Sequence, residues 1–167
     1  MPVTAAQVKE LRELTNAGVM ECKSALEESD GDTAKATEIL KERGLAQAEK
    51  RSERETSQGL VECYVHAGGR IGSMVELNCE TDFVARTDEF KSLAHDLAMQ
   101  VAATGPLSIT QEDLPDDAEG DAAEVCLMLQ PFIKDASRTV DELVKEVIAT
   151  TGENIRVTRF SRFELGQ

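Results

Sequence analysis

The chain of 167 residues is long enough for one medium-sized domain or two small ones, and its 41% of hydrophobic residues can supply a core. The 18 basic and 32 acidic residues give a net charge of −14, which argues against direct binding to nucleic acid. No apolar run approaches the roughly 20 residues that span a membrane, and Met1–Thr4 lacks the pattern of a signal peptide. We therefore expect a cytoplasmic protein whose partners are proteins, with no nucleic acid and no membrane among them.

Three short helices are predicted within residues 1–45. Thr4 and Gln7 have the spacing of a capping box, so the first helix should begin next to them. The segment 16–18 should end this helix, because its Asn and Gly tolerate the left-handed conformation of a helix terminus. A second helix follows, and Asp32 can cap a third helix that we expect to end before Gly44. The result is a small three-helix module.

Residues 46–57 are predicted to form a charged helical linker. Almost every residue from Gln47 to Glu55 is polar, and the charges alternate in sign. A segment of this kind has no apolar face to bury, which is typical of a solvated helix or spacer. We therefore place a domain boundary here, with a core domain over residues 58–167.

A β-hairpin is predicted at the start of the core domain. Leu60–Ala67 and Ile71–Leu77 alternate between apolar and polar residues, as strands with one buried face do. We expect a three-residue turn at 68–70, because this register places Val61 opposite Leu77 and brings all the apolar residues to one face. A two-residue turn would mix the two faces.

The hairpin leads into the corner, which we define as residues 77–86, where a strand pattern changes to a helical turn. Thr81 and Asp82 are residue types that cap helix starts, since their side-chain oxygens accept unpaired backbone N–H groups. Two interpretations of the neighbouring Phe83 are open. The spacing favours burial of Phe83 in the chain's own core, and the alternative is an aromatic anchor that enters a pocket of another protein.

The remaining residues predict helices that cover the sheet and one closing strand. An unbroken apolar stripe from Phe90 to Val101 predicts a helix that begins near Thr87 and stops at Gly105. Three further elements are expected after an acidic loop: a short helix over 122–129, a helix capped by Thr139, and a strand from Ile155 to Leu165 with a bulge near Phe160.

The predicted fold class is therefore α+β: an N-terminal three-helix module, then a three-stranded, mainly antiparallel sheet packed with helices. A three-stranded sheet has two edges and a face for which this chain has few helices. We expect a second copy or a partner to cover the remainder, and we predict a homodimer.

The sequence indicates neither a metal site nor a catalytic site. The four cysteines include no C-x-x-C pair, and only His66 and His95 could join them as ligands. Gly68 and Gly69 suit a hairpin better than a phosphate-binding loop. We therefore expect no cofactor, no bound metal and no enzymatic activity.

Four segments resemble, in the same order, those of translation elongation factor Ts: Leu11–Leu26, His66–Arg70, Glu76–Arg86 and Glu153–Ile155. The resemblance extends over nearly the whole chain, whose length is similar to that of the short family members with a single core subdomain. Four positions depart from the residues that are common in the family: Asn16, Val19, Glu21 and Ala136.

The resemblance implies a function and a set of contacts. It implies a guanine-nucleotide exchange factor that binds GDP-bound elongation factor Tu and promotes release of GDP and magnesium, so that GTP can rebind. The N-terminal module would be ubiquitin-associated-like. Thr81, Asp82, Phe83 and Val84 would dock on the G domain, with Phe83 as a wedge between two helices and Asp82 acting near the magnesium site. Val19 and Met20 of the module would touch the G domain elsewhere.

The predicted sheet bears on assembly, and one other class of function stays open. A homodimer, or a complex with two copies of each protein, agrees with the uncovered sheet face. The alternative function is a non-enzymatic adaptor that binds a peptide or a ubiquitin-like protein through the N-terminal module.

Overall fold

The computed structural model describes residues 3–167. Met1 and Pro2 lie outside the described residues, so part of the signal-peptide expectation and the start of the 1–45 module rest on sequence alone. Three helices come first: α1 (Ala5–Thr15), α2 (Val19–Glu28) and α3 (Thr33–Arg51).

The predicted signals start and end these helices. The Thr4 side chain accepts from the backbone N–H of Gln7, whose own side chain returns to the Thr4 backbone, and this completes the capping box. Asn16 ends α1 with a φ of 53°, and Asp32 caps α3 through the N–H groups of the next turn. The helices enclose a small apolar core made of Leu11, Cys22, Ala25, Leu26, Ala36 and Leu40.

The sequence predicted that helix α3 ends before Gly44, and this prediction is wrong. The helix continues to Arg51. The reason is a tertiary contact: α3 lies against a later helix, and a Cβ on Gly44 would be 3.0 Å from the Cβ of Ala149. Ala48 is almost fully buried there, and the guanidinium of Arg51 donates to the carbonyl of Ile148. The segment expected to be fully solvated therefore buries one face. The division into 1–45, 46–57 and 58–167 stays a prediction.

The larger sheet confirms the predicted architecture. Strands β1 (Gln58–Val65), β2 (Ile71–Cys79) and a late strand β5 (Ile155–Glu164) lie in the order β1-β2-β5, and both pairings are antiparallel. The register of β5 shifts where Leu77 pairs with Val157 while the residue before it pairs with Arg159. This bulge lies close to the position predicted near Phe160.

The predicted hairpin register is wrong by one residue. Val61 lies opposite Glu76, not Leu77, and the backbone N–H of His66 donates to the carbonyl of Ile71 across a four-residue loop. Gly68 and Gly69 both adopt positive φ in this loop, at little steric cost to glycine. The shift places Leu60, and not Val61, on the same face as Leu77, so that Leu60 packs against the core while Val61 is exposed on the other face.

The other elements lie between β2 and β5. They are the turn α4 (Asp82–Ala85), α5 (Asp88–Thr104), α6 (Ala122–Val125), a 3₁₀ turn (Leu127–Leu129), β3 (Pro131–Phe132), β4 (Asp135–Thr139) and α7 (Val140–Thr151). Every residue of the predicted α5 stripe from Phe90 to Val101 is buried. The helix predicted over 122–129 is shorter than expected, and the small β3–β4 sheet was not predicted. Within residues 3–167, no helix has both the length and the apolar character to cross a membrane.

Candidate partner-binding site

Phe83 lies on the surface of the corner and not in the core. Its side chain is 77% exposed, which contradicts the interpretation favoured by spacing alone. The short helix α4 holds its backbone: the Thr81 hydroxyl accepts from the N–H of Val84 at 3.5 Å, and the Phe83 carbonyl accepts from the N–H of Arg86 at 3.3 Å. An exposed aromatic on an ordered turn can enter another protein's pocket at little entropic cost.

Val84 and Ala85 fix the corner from beneath. Both side chains are buried in the main core, beside Cys79 at the end of β2 and Phe90 at the start of α5. Phe83 and Val84 therefore point in different directions, and Phe83 faces outward because Val84 faces inward. Val84 contributes packing here and little surface.

Asp82 and Arg86 form an ion pair one turn apart, with 2.8 Å between the Oδ2 and Nη2 atoms. The Asp82 side chain is half-exposed and that of Arg86 is mostly exposed. Exposed pairs of this kind contribute at most about 1 kcal/mol. A partner can therefore separate the pair at small cost and reach the Asp82 carboxylate.

Thr81 is held by a residue that is distant in sequence. The Glu153 carboxylate accepts from the Thr81 backbone N–H at 2.9 Å and from the Thr81 hydroxyl at 2.6 Å. Next to it, a carboxylate oxygen of Glu80 accepts from the backbone N–H of Asn154 at 2.7 Å. We call Glu80, Thr81, Glu153 and Asn154 the clasp. It joins the corner to the segment between α7 and β5.

Cys79 completes the surroundings of Thr81. Its thiol is fully buried and donates to the Thr81 carbonyl at 3.1 Å. Burial, helped by the negative charge of Glu153, raises the pKa of Cys79 from 9.0 to about 11. The thiol therefore remains protonated at neutral pH and continues to donate this hydrogen bond.

The other predicted contact residues lie on the N-terminal module. Val19 and Met20 stand at the start of α2, 50% and 72% exposed, and Leu14 near the end of α1 is also exposed. The structure thus brings Thr81, Asp82, Phe83 and Val84 together on one turn, and it places Val19 and Met20 on a separate element.

A second apolar surface covers the side of the sheet that faces away from α5. We call it the outer sheet face, and its exposed apolar residues are Val61, Cys63, Val65, Met74, Phe163 and Leu165. Met74 stands near the centre, opposite Cys63 on one neighbouring strand and Ser161 on the other. Contiguous exposed apolar residues on a sheet are typical of protein–protein interfaces.

Sequence reasoning did not assign a role to Glu153. It is 72 residues away from Thr81 along the chain, and no local pattern reports a contact over such a separation. The available signal was that Glu153–Ile155 belongs to the resembling segments. In residues 3–167, no group of three or more His, Cys, Asp or Glu side chains is placed to hold a metal ion.

Comparison with known proteins identifies the family. The family model described as Elongation factor TS matches residues 2–120. Elongation factor Ts of Carboxydothermus hydrogenoformans is 49% identical, with 99% of this chain and 90% of that protein covered. Elongation factor Ts of Thermotoga neapolitana is 46% identical over 100% and 99%, and that of Rippkaea orientalis is 47% identical over 99% and 79%. The chain therefore belongs to the elongation factor Ts family and is a translation elongation factor.

Proposed function

We propose that this chain is a guanine-nucleotide exchange factor that binds GDP-bound elongation factor Tu and promotes release of GDP and magnesium. The observation that carries this proposal is Phe83, an aromatic side chain that is 77% exposed on an ordered corner. Family membership supplies the partner. The chain carries out no bond chemistry in this role, and the site of action is the cytoplasm, where elongation takes place.

The corner is the element that docks on the G domain. Phe83 inserts between two helices of the partner, and a buried aromatic anchor of this kind contributes about 2 kcal/mol or more to binding. Val84 stays in the core and supports the turn, while Thr81 caps it. Asp82 and Phe83 thus contact the partner, and Thr81 and Val84 hold the turn in place.

Exchange follows from thermodynamic coupling. The factor and GDP with magnesium favour different conformations of the same GTPase, so each weakens the binding of the other. Each ~1.4 kcal/mol of coupling corresponds to a tenfold change in affinity. Several such contributions are needed for acceleration by orders of magnitude, and Asp82 supplies one by disturbing the contacts of the partner's magnesium ion.

The N-terminal module makes a second and weaker contact. Val19 and Met20 present apolar surface at the start of α2, and the resemblance implies a contact with the G domain there. Val19 and Met20 raise the affinity for elongation factor Tu, and the corner acts on the nucleotide site.

A homodimer, or a complex with two copies of each protein, is the proposed assembly. The outer sheet face presents apolar residues from all three strands, while Glu76 and Arg159 neutralise each other on the same face. Where a surface meets itself across a two-fold axis, charges that are paired in this way reduce the repulsion between like charges of the two copies. A dimer that dissociates at tens of micromolar has a free energy of association of about 7 kcal/mol. Sedimentation that finds only monomers at this concentration would contradict a stable homodimer.

The exchange function is tested by mixing the chain with elongation factor Tu that carries labelled GDP. An exchange factor raises the release rate as its concentration rises, until the rate saturates. A peptide-binding adaptor binds without changing the release rate. An unchanged rate in the presence of demonstrated binding would therefore favour the adaptor and contradict the proposal.

A further inference from the structure

We propose that Glu153 is a positioning residue for nucleotide exchange, which acts by holding Thr81 and through it the orientation of Phe83. This inference rests on the proposed exchange function. Glu153 is half-buried, and its hydrogen bonds in the corner go to Thr81 and not to Phe83. Its effect on the partner is therefore indirect.

The clasp continues the β2–β5 pairing beyond its last backbone pair. That pair is Cys79 with Ile155. Beyond this pair, side-chain carboxylates take the place of backbone carbonyls as acceptors. The Glu80 carboxylate accepts a hydrogen bond from the backbone N–H of Asn154, and the Glu153 carboxylate accepts one from the backbone N–H of Thr81. The corner thus starts from a fixed end of the sheet and not from a free loop.

The backbone around Glu153 is built to aim its side chain at Thr81. Helix α7 ends at Gly152, whose φ of 76° is a left-handed conformation that glycine adopts at low cost. Asn154 fixes the other side, since its Nδ2 atom donates to the carbonyls of Ser52 at 3.2 Å and Arg54 at 2.8 Å. Glu153 therefore has little freedom to point elsewhere.

All the polar groups of Thr81 are engaged. Its N–H and hydroxyl donate to Glu153, its carbonyl accepts from the Cys79 thiol, and its hydroxyl oxygen accepts from the N–H of Val84. The charged bonds to Glu153 are the strongest of these, because hydrogen bonds to an ionised group exceed neutral ones. Without them, the cap on α4 becomes loose and Phe83 samples more orientations.

The test is a double-mutant cycle on the release rate of labelled GDP from elongation factor Tu, with Glu153→Gln and Phe83→Ala. Glutamine keeps the shape of the side chain but loses the charge and one acceptor. In the chain that keeps Phe83, we therefore expect Glu153→Gln to slow GDP release about tenfold. Because both residues act through the same aromatic anchor, we expect less than about a twofold further loss in the Phe83→Ala chain.

Glu142→Gln is the matched control. Glu142 accepts the backbone N–H of Thr139 at 2.9 Å in the α7 capping box, so the same substitution removes the charge from a similar bond, which glutamine can still accept, as Gln7 does in α1. It lies ~14 Å along the helix from the end of α7, away from the corner. Glu142→Gln should change the melting temperature little, and only Glu153→Gln should slow exchange.

The outcomes separate this inference from the function on which it rests. A wild-type chain without effect on release overturns the exchange function and this inference with it. If the wild-type chain is active, a Glu153→Gln chain with wild-type exchange, or with an equal loss in both backgrounds, overturns the positioning role alone. Should Glu153→Gln not fold, Glu153→Asp draws the carboxylate back from Thr81 by one methylene, leaves the Thr81 cap on Val84 in place and is held to the same two criteria.

Discussion

Phe83 and Val84 are neighbours in the chain, yet one is 77% exposed and the other only 9% exposed. Their backbone forms a single short turn, capped by the Thr81 hydroxyl. Burial of Val84 orients the corner, because the buried residue fixes the direction of the exposed Phe83. In an elongation factor Ts family member, the exposed residue is the natural candidate for contact with the partner.

The two neighbours should therefore differ in their contribution to stability. Val84→Ala removes buried methyl groups from the main core and should lower the free energy of unfolding by about 1–3 kcal/mol. Phe83→Ala removes mostly exposed surface and should change it by less than about 0.5 kcal/mol. Urea unfolding of the two variants measures both values. Equal losses would show that Phe83 supports the fold and would contradict its assignment as an anchor.

Asp82→Ala should reduce exchange less than loss of the aromatic ring does, and by an amount that depends on magnesium concentration. We propose that the Asp82 carboxylate acts near the partner's magnesium site, so its contribution should change as free magnesium is raised or removed. Release rates over a magnesium titration measure this dependence.

Arg86→Ala is the control for Asp82→Ala, because it breaks the same ion pair and leaves the carboxylate in place. It should keep the magnesium dependence of the wild-type chain. If Asp82→Ala responds to magnesium as the wild-type chain does, Asp82 has no role at the metal site.

Met74→Lys should abolish the proposed homodimer without unfolding the chain. Met74 is 46% exposed near the centre of the outer sheet face. A two-fold axis through this face would bring the new ammonium groups of both copies together in an apolar interface, where unpaired charge is costly. Sedimentation at tens of micromolar should show dimers of the wild type and monomers of the variant. Met20→Lys, on the N-terminal module, should remain dimeric, and a wild-type chain that is monomeric throughout would refute the dimer.

The buried Cys79 thiol should make stability fall as the pH rises from about 9 to about 11. Burial raises the pKa of Cys79 to about 11 in the folded state, against an ordinary value of 9.0. Within this window the unfolded chain loses the thiol proton while the folded chain keeps it. The unfolded state therefore binds fewer protons, and the free energy of unfolding falls with pH.

The measurement is denaturant unfolding of the wild-type chain and of Cys79→Ala at several pH values from 8 to 11. Other groups titrate in both proteins, so only the difference between the two curves reports on Cys79. That difference should narrow with rising pH. Parallel curves would show that the Cys79 pKa is unchanged by folding.

The parts of the fold that could be predicted from the sequence depend on short-range signals. Thr4 with Gln7 and Thr139 with Glu142 are capping boxes whose partners lie three residues apart, and both form as predicted. The α5 stripe that begins at Phe90 likewise repeats within each turn of one helix. Such signals are complete within a few residues, so the sequence alone carries them.

The parts that could not be predicted depend on contacts between distant residues. Gly44 would normally weaken a helix, but here it allows α3 to pass close to Ala149, so the helix continues. The hairpin register depends on one residue of loop length, and the alternation of Val61 with its neighbours fits either face. The hydrogen bond between Glu153 and Thr81 joins residues 72 positions apart, and no local sequence pattern near either residue predicts it.

The candidate site shows the same division. Spacing around Phe83 was compatible with burial and with exposure, because one short turn does not reveal what else packs on it. The family resemblance indicated the anchor role, and the structure then placed the ring outside the core.

The most direct test of the central claim is the release rate of labelled GDP from elongation factor Tu with the wild-type chain, with Phe83→Ala and with Leu107→Ala. Leu107 is also an exposed apolar residue, at 55%, and it follows the far end of α5, a helix of ~25 Å. Truncating an anchor that is buried in the complex costs about 2 kcal/mol or more, so Phe83→Ala should slow GDP release at least about 30-fold. Leu107→Ala should match the wild type. A Phe83→Ala chain that releases GDP at the wild-type rate would contradict the account.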